Sequence, residues 1–198
     1  MAPILAGIGI FLVIAFTFIG IGIYLYNRLV SLRNTVKSSW SDIDVQLKKR
    51  YDLVPNLVEA VKGYAAHEKS LFEKVTEARS MAIRASSPAK KAQAEDMFRE
   101  TLKSLFAVAE AYPELKANAN FMQLQSQLKD LEDNIEYARR YYNAVVRDYN
   151  IHTESVPSNI IASLFRFGIE EFFGLEAPEL ERKPVRVSFR KTGGAEEG

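Results

Sequence analysis

Apolar side chains recur at Ile43, Leu47, Val54, Leu57, Val61, Tyr64, Leu71 and Val75. Steps of three, four and seven place them on one face of a helix. The stripe begins upstream, at Leu29, Leu32, Val36 and Trp40, so helix is predicted there without a flexible linker. Pro55 has no backbone N–H and crowds the preceding turn, which predicts a kink or short break at 52–55. Asp52 is then a candidate N-cap for helix continuing to about Ala82. In RASSP, residues 84–88, the chain should turn, with Ser87 as N-cap and Pro88 in the first helical position. A third helix is predicted over 89–111, with Met97, Leu102, Leu105, Val108 and Ala109 inward, ended by Tyr112-Pro113. Asn118 can cap the next helix, which has the most regular pattern: Phe121, Leu124, Leu128, Leu131, Ile135, Ala138, Tyr142, Val145, Tyr149 and His152. Alternating steps of three and four indicate coiled-coil-like packing. Short connections between long helices make the neighbours antiparallel. After Pro157 a short apolar helix is predicted over 159–167. Its Ile160, Ile161, Leu164 and Phe165 would cap the open end of the bundle, with Phe172 and Phe173 adding apolar area. Residues 175–198 read as an extended or disordered tail.

Residues 4–26, ILAGIGIFLVIAFTFIGIGIYLY, carry no charge. As a helix they would extend ~35 Å, enough to span a ~30 Å hydrocarbon core with some tilt. No basic segment precedes the run, it exceeds a signal peptide's ~7–15 apolar residues, and no small-residue cleavage site follows. Residues 1–27 therefore read as an uncleaved transmembrane anchor, in contact with the lipid bilayer through residues 4–26. Tyr24 and Tyr26 suit the headgroup level, or are ordinary helix residues. Gly7, Gly9, Gly20 and Gly22 form no glycine pair four apart, so no dimerisation face is inferred. Arg28, Arg33 and Lys37 follow the span. Positive flanks favour the cytoplasmic side, which puts the N-terminus outside and the large domain, residues 28–174, in the cytoplasm, with the opposite orientation left open.

Composition removes several possibilities. The formal net charge is +1 with 26% charged residues, which gives no electrostatic footprint for nucleic acid. Cysteine is absent, excluding disulfides, thiolate metal sites and a Cys nucleophile. No repeat with a period of ~20–50 residues is visible. Neither histidine has a glutamate three residues before it: Tyr64 precedes His67 and Tyr149 precedes His152. A di-iron carboxylate site is therefore not expected. Asp42 and Asp44 lack the glycine and closing glutamate of a calcium loop, and they point ~200° apart on a helix. No nucleophile-elbow motif occurs. No catalytic, cofactor-binding or metal-binding residue is assigned, and no cofactor is expected.

The polar residues on the stripe carry more information. At ~100° per residue, Arg50 falls within ~20° of the line through Ile43 and Val61, and Glu68 and Arg79 do as well. Glu132 and Arg139 lie near the edge of the fourth helix's seam. Burying a lone charge is costly, so either these residues pair internally or their side chains snorkel to water. His67-Glu68 is the best local acid/base pair, but adjacent helical residues do not face each other, and a capping or surface role is the favoured reading. His152 reads as a core-edge histidine. Asn143 and Asn150, seven apart, either fix helix register or stay exposed. Candidate interaction or buried polar residues are thus Arg50, Asp52, Asn56, His67, Glu68, Glu132, Arg139, Asn143 and Asn150.

Several motifs now fit one family: WSDIDVQLKKRYDLVPNL at 40–57, VKGY at 61–64 with His67-Glu68, YPELKAN at 112–118, Phe121 to Leu124, the pairs Tyr142-Asn143 and Tyr149-Asn150, and PVRV at 184–187. Together they resemble the LemA family of bacterial membrane proteins over nearly the whole chain, anchor included. The resemblance implies an N-terminal membrane anchor followed by a long antiparallel helical bundle, and it implies no enzymatic activity. The expectation is an all-α, single-pass, non-enzymatic protein that acts as an interaction or scaffolding module with a membrane-associated protein partner; its oligomeric state is left open. The alternative is an enzyme or ligand-binding domain with a polar pocket around Arg50, Asp52, Glu68 and Glu132.

Overall fold

The computed structural model describes residues 2–174. The tail predicted at 175–198 lies outside the described residues. Six helices build the fold: α1 Ala2–Lys62, α2 Lys69–Arg84, α3 Pro88–Glu110, α4 Pro113–Lys116, α5 Ala119–Glu154 and α6 Ser158–Leu164. The described residues contain no strand. As expected, a long apolar N-terminal helix leads into an antiparallel helical bundle and a short C-terminal helix. α1 and α5 form the spine, and α2 and α3 pair as a hairpin against the half of the spine far from the N-terminus.

α1 is 61 residues long, which corresponds to ~92 Å. Its large apolar side chains are exposed along residues 5–24, and burial begins at Leu29. From there Leu29, Leu32, Val36, Ile43, Leu47, Val54, Leu57 and Val61 pack inward. The break predicted at 52–55 does not occur. α1 runs through Pro55, and Asp52 is a mid-helix surface residue paired with Lys48 at 2.6 Å, not an N-cap. Pro55 cannot donate to the Tyr51 carbonyl one turn earlier. Arg79 Nε donates to that oxygen instead, at 2.7 Å, so the orphan acceptor is satisfied from α2. The chain reverses later, at 63–68, where the Ala65 N–H closes back on the Val61 carbonyl at 2.9 Å. Tyr64, expected on the inner stripe, is exposed in this turn.

Ser87 caps α3 by accepting from the Lys90 N–H, with Pro88 in the first turn. On α3 the expected Leu102, Leu105 and Ala109 are buried and Val108 packs against the core; only Met97 fails, its place taken by Phe98 one residue later. Met97 itself is 53% exposed. Each fully buried large apolar side chain contributes ~1.5–3 kcal/mol, and Phe98, four residues before Leu102, is the one that shares its face. Asn118 caps α5 through the Phe121 N–H at 3.1 Å. On α5 the sevenfold series Phe121, Leu128, Ile135, Tyr142 and Tyr149 is buried. The companion series drifts: Val146 and Thr153 are buried where Val145 and His152 were predicted. A straight helix drifts ~20° per heptad, and near the N-terminal end of the spine α5 is covered by more than one neighbour. The cap expected from α6 is found only in part. Ile161 packs against the core and Ala162 is buried, while Ile160, Leu164 and Phe165 are exposed.

Candidate functional site

α1 carries a second sevenfold series, Leu29, Val36, Ile43, Arg50 and Leu57, and all five are buried. Arg50 therefore occupies a seam position and is 0% exposed. Its guanidinium pairs with Glu95 from α3 through Nη2 and with Glu132 from α5 through Nη1. The Tyr51 hydroxyl donates to Glu95, and the Phe98 ring lies 5.3 Å from the guanidinium carbon. Glu95 is 1% exposed, whereas the Glu132 side chain is 30% exposed and also meets Arg99 Nε at 3.8 Å. Two arginines thus face two carboxylates, which offsets the large desolvation penalty of each charge. Burial pushes the Tyr51 hydroxyl up to about 12 against the opposing pull of Arg50, so it stays protonated and donates. The cluster joins α1, α3 and α5 through charge.

The other predicted residues separate into distinct places. Asn56 and His67 are exposed, and Glu68 stands half-buried at the start of α2 without a side-chain cap bond. Of the pocket expected from Arg50, Asp52, Glu68 and Glu132, only Arg50 and Glu132 come together. Arg139 is half-buried with its guanidinium 4.9 Å from the Phe173 ring. Burial lowers its pKa, and the neighbouring Arg99 lowers it further. Arg99, Glu132, Ile135 and Arg139 line a cleft of about 310 Å³ beside the buried cluster. Among the described residues, no group of three or more His, Cys, Asp or Glu side chains is placed to hold a metal ion.

Asn143 and Asn150 do not set helix against helix. Each amide holds one residue of the non-helical segment 167–174 by both backbone groups. Asn143 donates to the Phe173 carbonyl at 3.1 Å and accepts its N–H at 2.8 Å. Asn150 does the same for Glu170, at 3.0 and 2.9 Å. Seven helical residues rise ~10.5 Å, and three extended residues cover ~10 Å, so the spacings match. Tyr142 adds a bond to the Glu171 carbonyl at 2.8 Å, and burial beside Glu170 and Glu171 pushes its hydroxyl up to about 12. Phe173 then packs on Trp40 at a centroid distance of 5.8 Å. Gly174 ends the segment at φ 79°, where a Cβ would meet Arg139 Nη2 at 2.7 Å.

Glu95 is the residue that sequence reasoning missed. It lies three positions before Phe98 and seven before Leu102, on the inner face of α3, but the expected apolar stripe starts at Met97 and does not reach it. The clamp had a signal in the seven-residue spacing of the two asparagines. The non-helical partner had none, because a segment without periodicity gives no contact pattern.

The LemA family model matches residues 39–189. Protein LemA of Metamycoplasma hominis is 27% identical over 197 residues, covering 94% of this chain and 87% of that protein. Magnetosome protein MamQ 2 of Paramagnetospirillum magneticum is 26% identical over 174 residues, covering 75% of this chain. Magnetosome protein MamQ of Magnetospirillum gryphiswaldense is 25% identical over 174 residues. The match spans 64% of the length of these magnetosome relatives. None of the three names is that of an enzyme. The family match covers the ionic cluster and the asparagine clamp alike, and the chain belongs to the LemA family.

Proposed function

We propose that this chain is a membrane-anchored helical rod that acts as a non-enzymatic interaction or scaffolding module. Residues 1–27 are the anchor and 28–174 the working domain. The observation that carries the reading is the continuity of α1: one helix links the uncharged N-terminal stretch to the bundle core without a hinge. A rigid link of this kind holds a helical face at a fixed distance and angle from a bilayer. The buried ionic cluster supports a structural role, since its carboxylates are engaged by Arg50, Arg99 and Tyr51. The outer face of α5 offers an anchor point for a partner: Tyr137 and Tyr141, one turn apart, are 67% and 47% exposed. The partner is a membrane-associated protein, and Arg28, Arg33 and Lys37 favour a cytoplasmic position for the domain.

Crosslinking in intact bacterial cells tests both parts, with a membrane-permeant and an impermeant reagent applied in parallel and captured proteins identified by mass spectrometry. The expected result is a specific set of captured membrane proteins, obtained with the permeant reagent alone and lost on Tyr137→Ala/Tyr141→Ala. Capture by the impermeant reagent would reverse the orientation, and capture indifferent to the tyrosines would remove α5 as the presenting face.

A further inference from the structure

Residues 156–169, VPSNIIASLFRFGI, contain a single charged side chain, Arg166. In this stretch Val156, Ile160, Leu164, Phe165 and Ile169 are 79, 64, 71, 52 and 67% exposed. Burying such side chains is favourable, so an exposed cluster of them marks a surface made for an apolar partner. Its location identifies the partner. Ile161 Cδ1 approaches within 3.9 Å of where a Cβ of Gly22 would lie. The Tyr26 ring packs on Phe165 and Phe167 at centroid distances of 4.7 and 5.8 Å. Gly22 and Tyr26 both belong to the uncharged stretch of α1, before its first charge at Arg28. α6 is therefore held alongside the last turn of the apolar helix, at the level where that helix leaves the hydrocarbon.

We propose that α6 and its flanks, residues 156–169, form a second, interfacial membrane contact that dips into the lipid surface beside the span. The contact rests on the reading of α1 as a transmembrane anchor and is continuous with it. An interfacial element buries its apolar face ~5–10 Å into the headgroup and acyl boundary, which is the depth Gly22 and Tyr26 fix for it. Arg28 and Arg166 are exposed at that level, with stems long enough to reach lipid phosphates while the neighbouring rings stay in the apolar layer. Arg33, stacked 4.8 Å from the Phe167 ring, ties the inner side of the segment to α1. The asparagine clamp then carries the chain away from the membrane toward Trp40. Together these contacts would set the tilt of the rod as well as its tether.

The absence of cysteine allows the test on the full chain. Phe16→Cys, Ile160→Cys, Leu164→Cys, Ile169→Cys and Met122→Cys are each spin-labelled and reconstituted into vesicles of phosphatidylcholine and phosphatidylglycerol. Collision rates are then read with oxygen, which enters the bilayer, and with a water-soluble nickel chelate. All five side chains are exposed, so no label displaces packed core. Ile160, Leu164 and Ile169 should resemble Phe16, with an oxygen-to-nickel ratio several-fold above that at Met122 on the distal half of the rod. Nickel access at the three α6 positions equal to that at Met122, with Phe16 still protected, overturns the interfacial contact and leaves the anchor standing. Shielding of those positions from both reagents would mean a protein cover, a second copy or another chain, and overturns it too. Nickel access at Phe16 overturns the span and the contact together.

Discussion

Arg50 stands where a leucine or valine would continue the seam, and that position decides its energetics. Its carboxylate partners come from two other helices, and Glu95 is as buried as the arginine itself. Removing one member of a buried pair costs ~3–5 kcal/mol, because the survivor keeps its desolvation penalty without compensation. Thermal melts of the detergent-solubilised chain should therefore fall sharply for Arg50→Ala. Arg50→Met should fall nearly as far, since it restores volume but still strands Glu95. Combining Arg50→Met with Glu95→Leu should recover most of the loss, as replacement of a buried pair by apolar residues often does. Near-wild-type melting of the single variants would show that the charge is structurally dispensable, and the importance of Arg50 would then lie elsewhere.

Among the elements, α5 does two jobs. One face carries the sevenfold apolar series that packs on α1. The adjoining flank presents Asn143 and Asn150, which together with the hydroxyl of Tyr142 from the series itself hold a segment that has no secondary structure of its own. A typical hydrogen bond contributes ~1 kcal/mol net, and each asparagine makes two to a single residue. Asn143→Ala/Asn150→Ala should leave the circular dichroism of the helices intact while releasing residues 167–174. Trypsin cleavage after the exposed Arg166 should then accelerate by roughly tenfold or more, at ~1.4 kcal/mol per factor of ten. An unchanged cleavage rate would show that Phe173, packed on Trp40 and Arg139, holds the segment without the amides. The same logic of local substitution appears at Pro55, where Arg79 provides the donor that proline lacks and α1 stays continuous.

At the scale of the whole molecule, the first buried side chain among those described on α1 is Leu29, just past the apolar stretch. The core therefore owes nothing to residues 7–21, and deletion of residues 1–27 should leave a helical bundle. The deletion removes Gly22 and Tyr26, however, and with them the support of Ile161, Phe165 and Phe167. The truncated chain should keep the helical circular dichroism of α1 to α5 and a cooperative melt, while amide hydrogen exchange rises in residues 158–167. Loss of the cooperative transition would show that anchor and bundle fold as one unit.

Much that depends on periodicity and local chemistry can be read from the chain alone. The apolar stretch at 4–26, the sevenfold apolar series of α5, the caps at Ser87 and Asn118 and the stop at Tyr112-Pro113 each follow from residues close together in the chain. Arg50 could be placed on the inner face by counting alone. The tertiary structure decided what requires a distant partner. Asp52 and Glu68 were nearer to Arg50 in sequence, yet Glu95 and Glu132 pair with it, because the packing of α3 and α5 decides which carboxylates arrive. Arg79 cancels the break that Pro55 predicts, an effect no local rule contains. The asparagines could be counted at seven apart, but the extended chain they hold has no period to reveal it. The outward face of α6 was legible as apolar. Only its contact with Gly22 and Tyr26 places it beside the apolar N-terminal stretch of α1, because where an apolar surface finds its partner is settled by the fold and not by the residues that compose it.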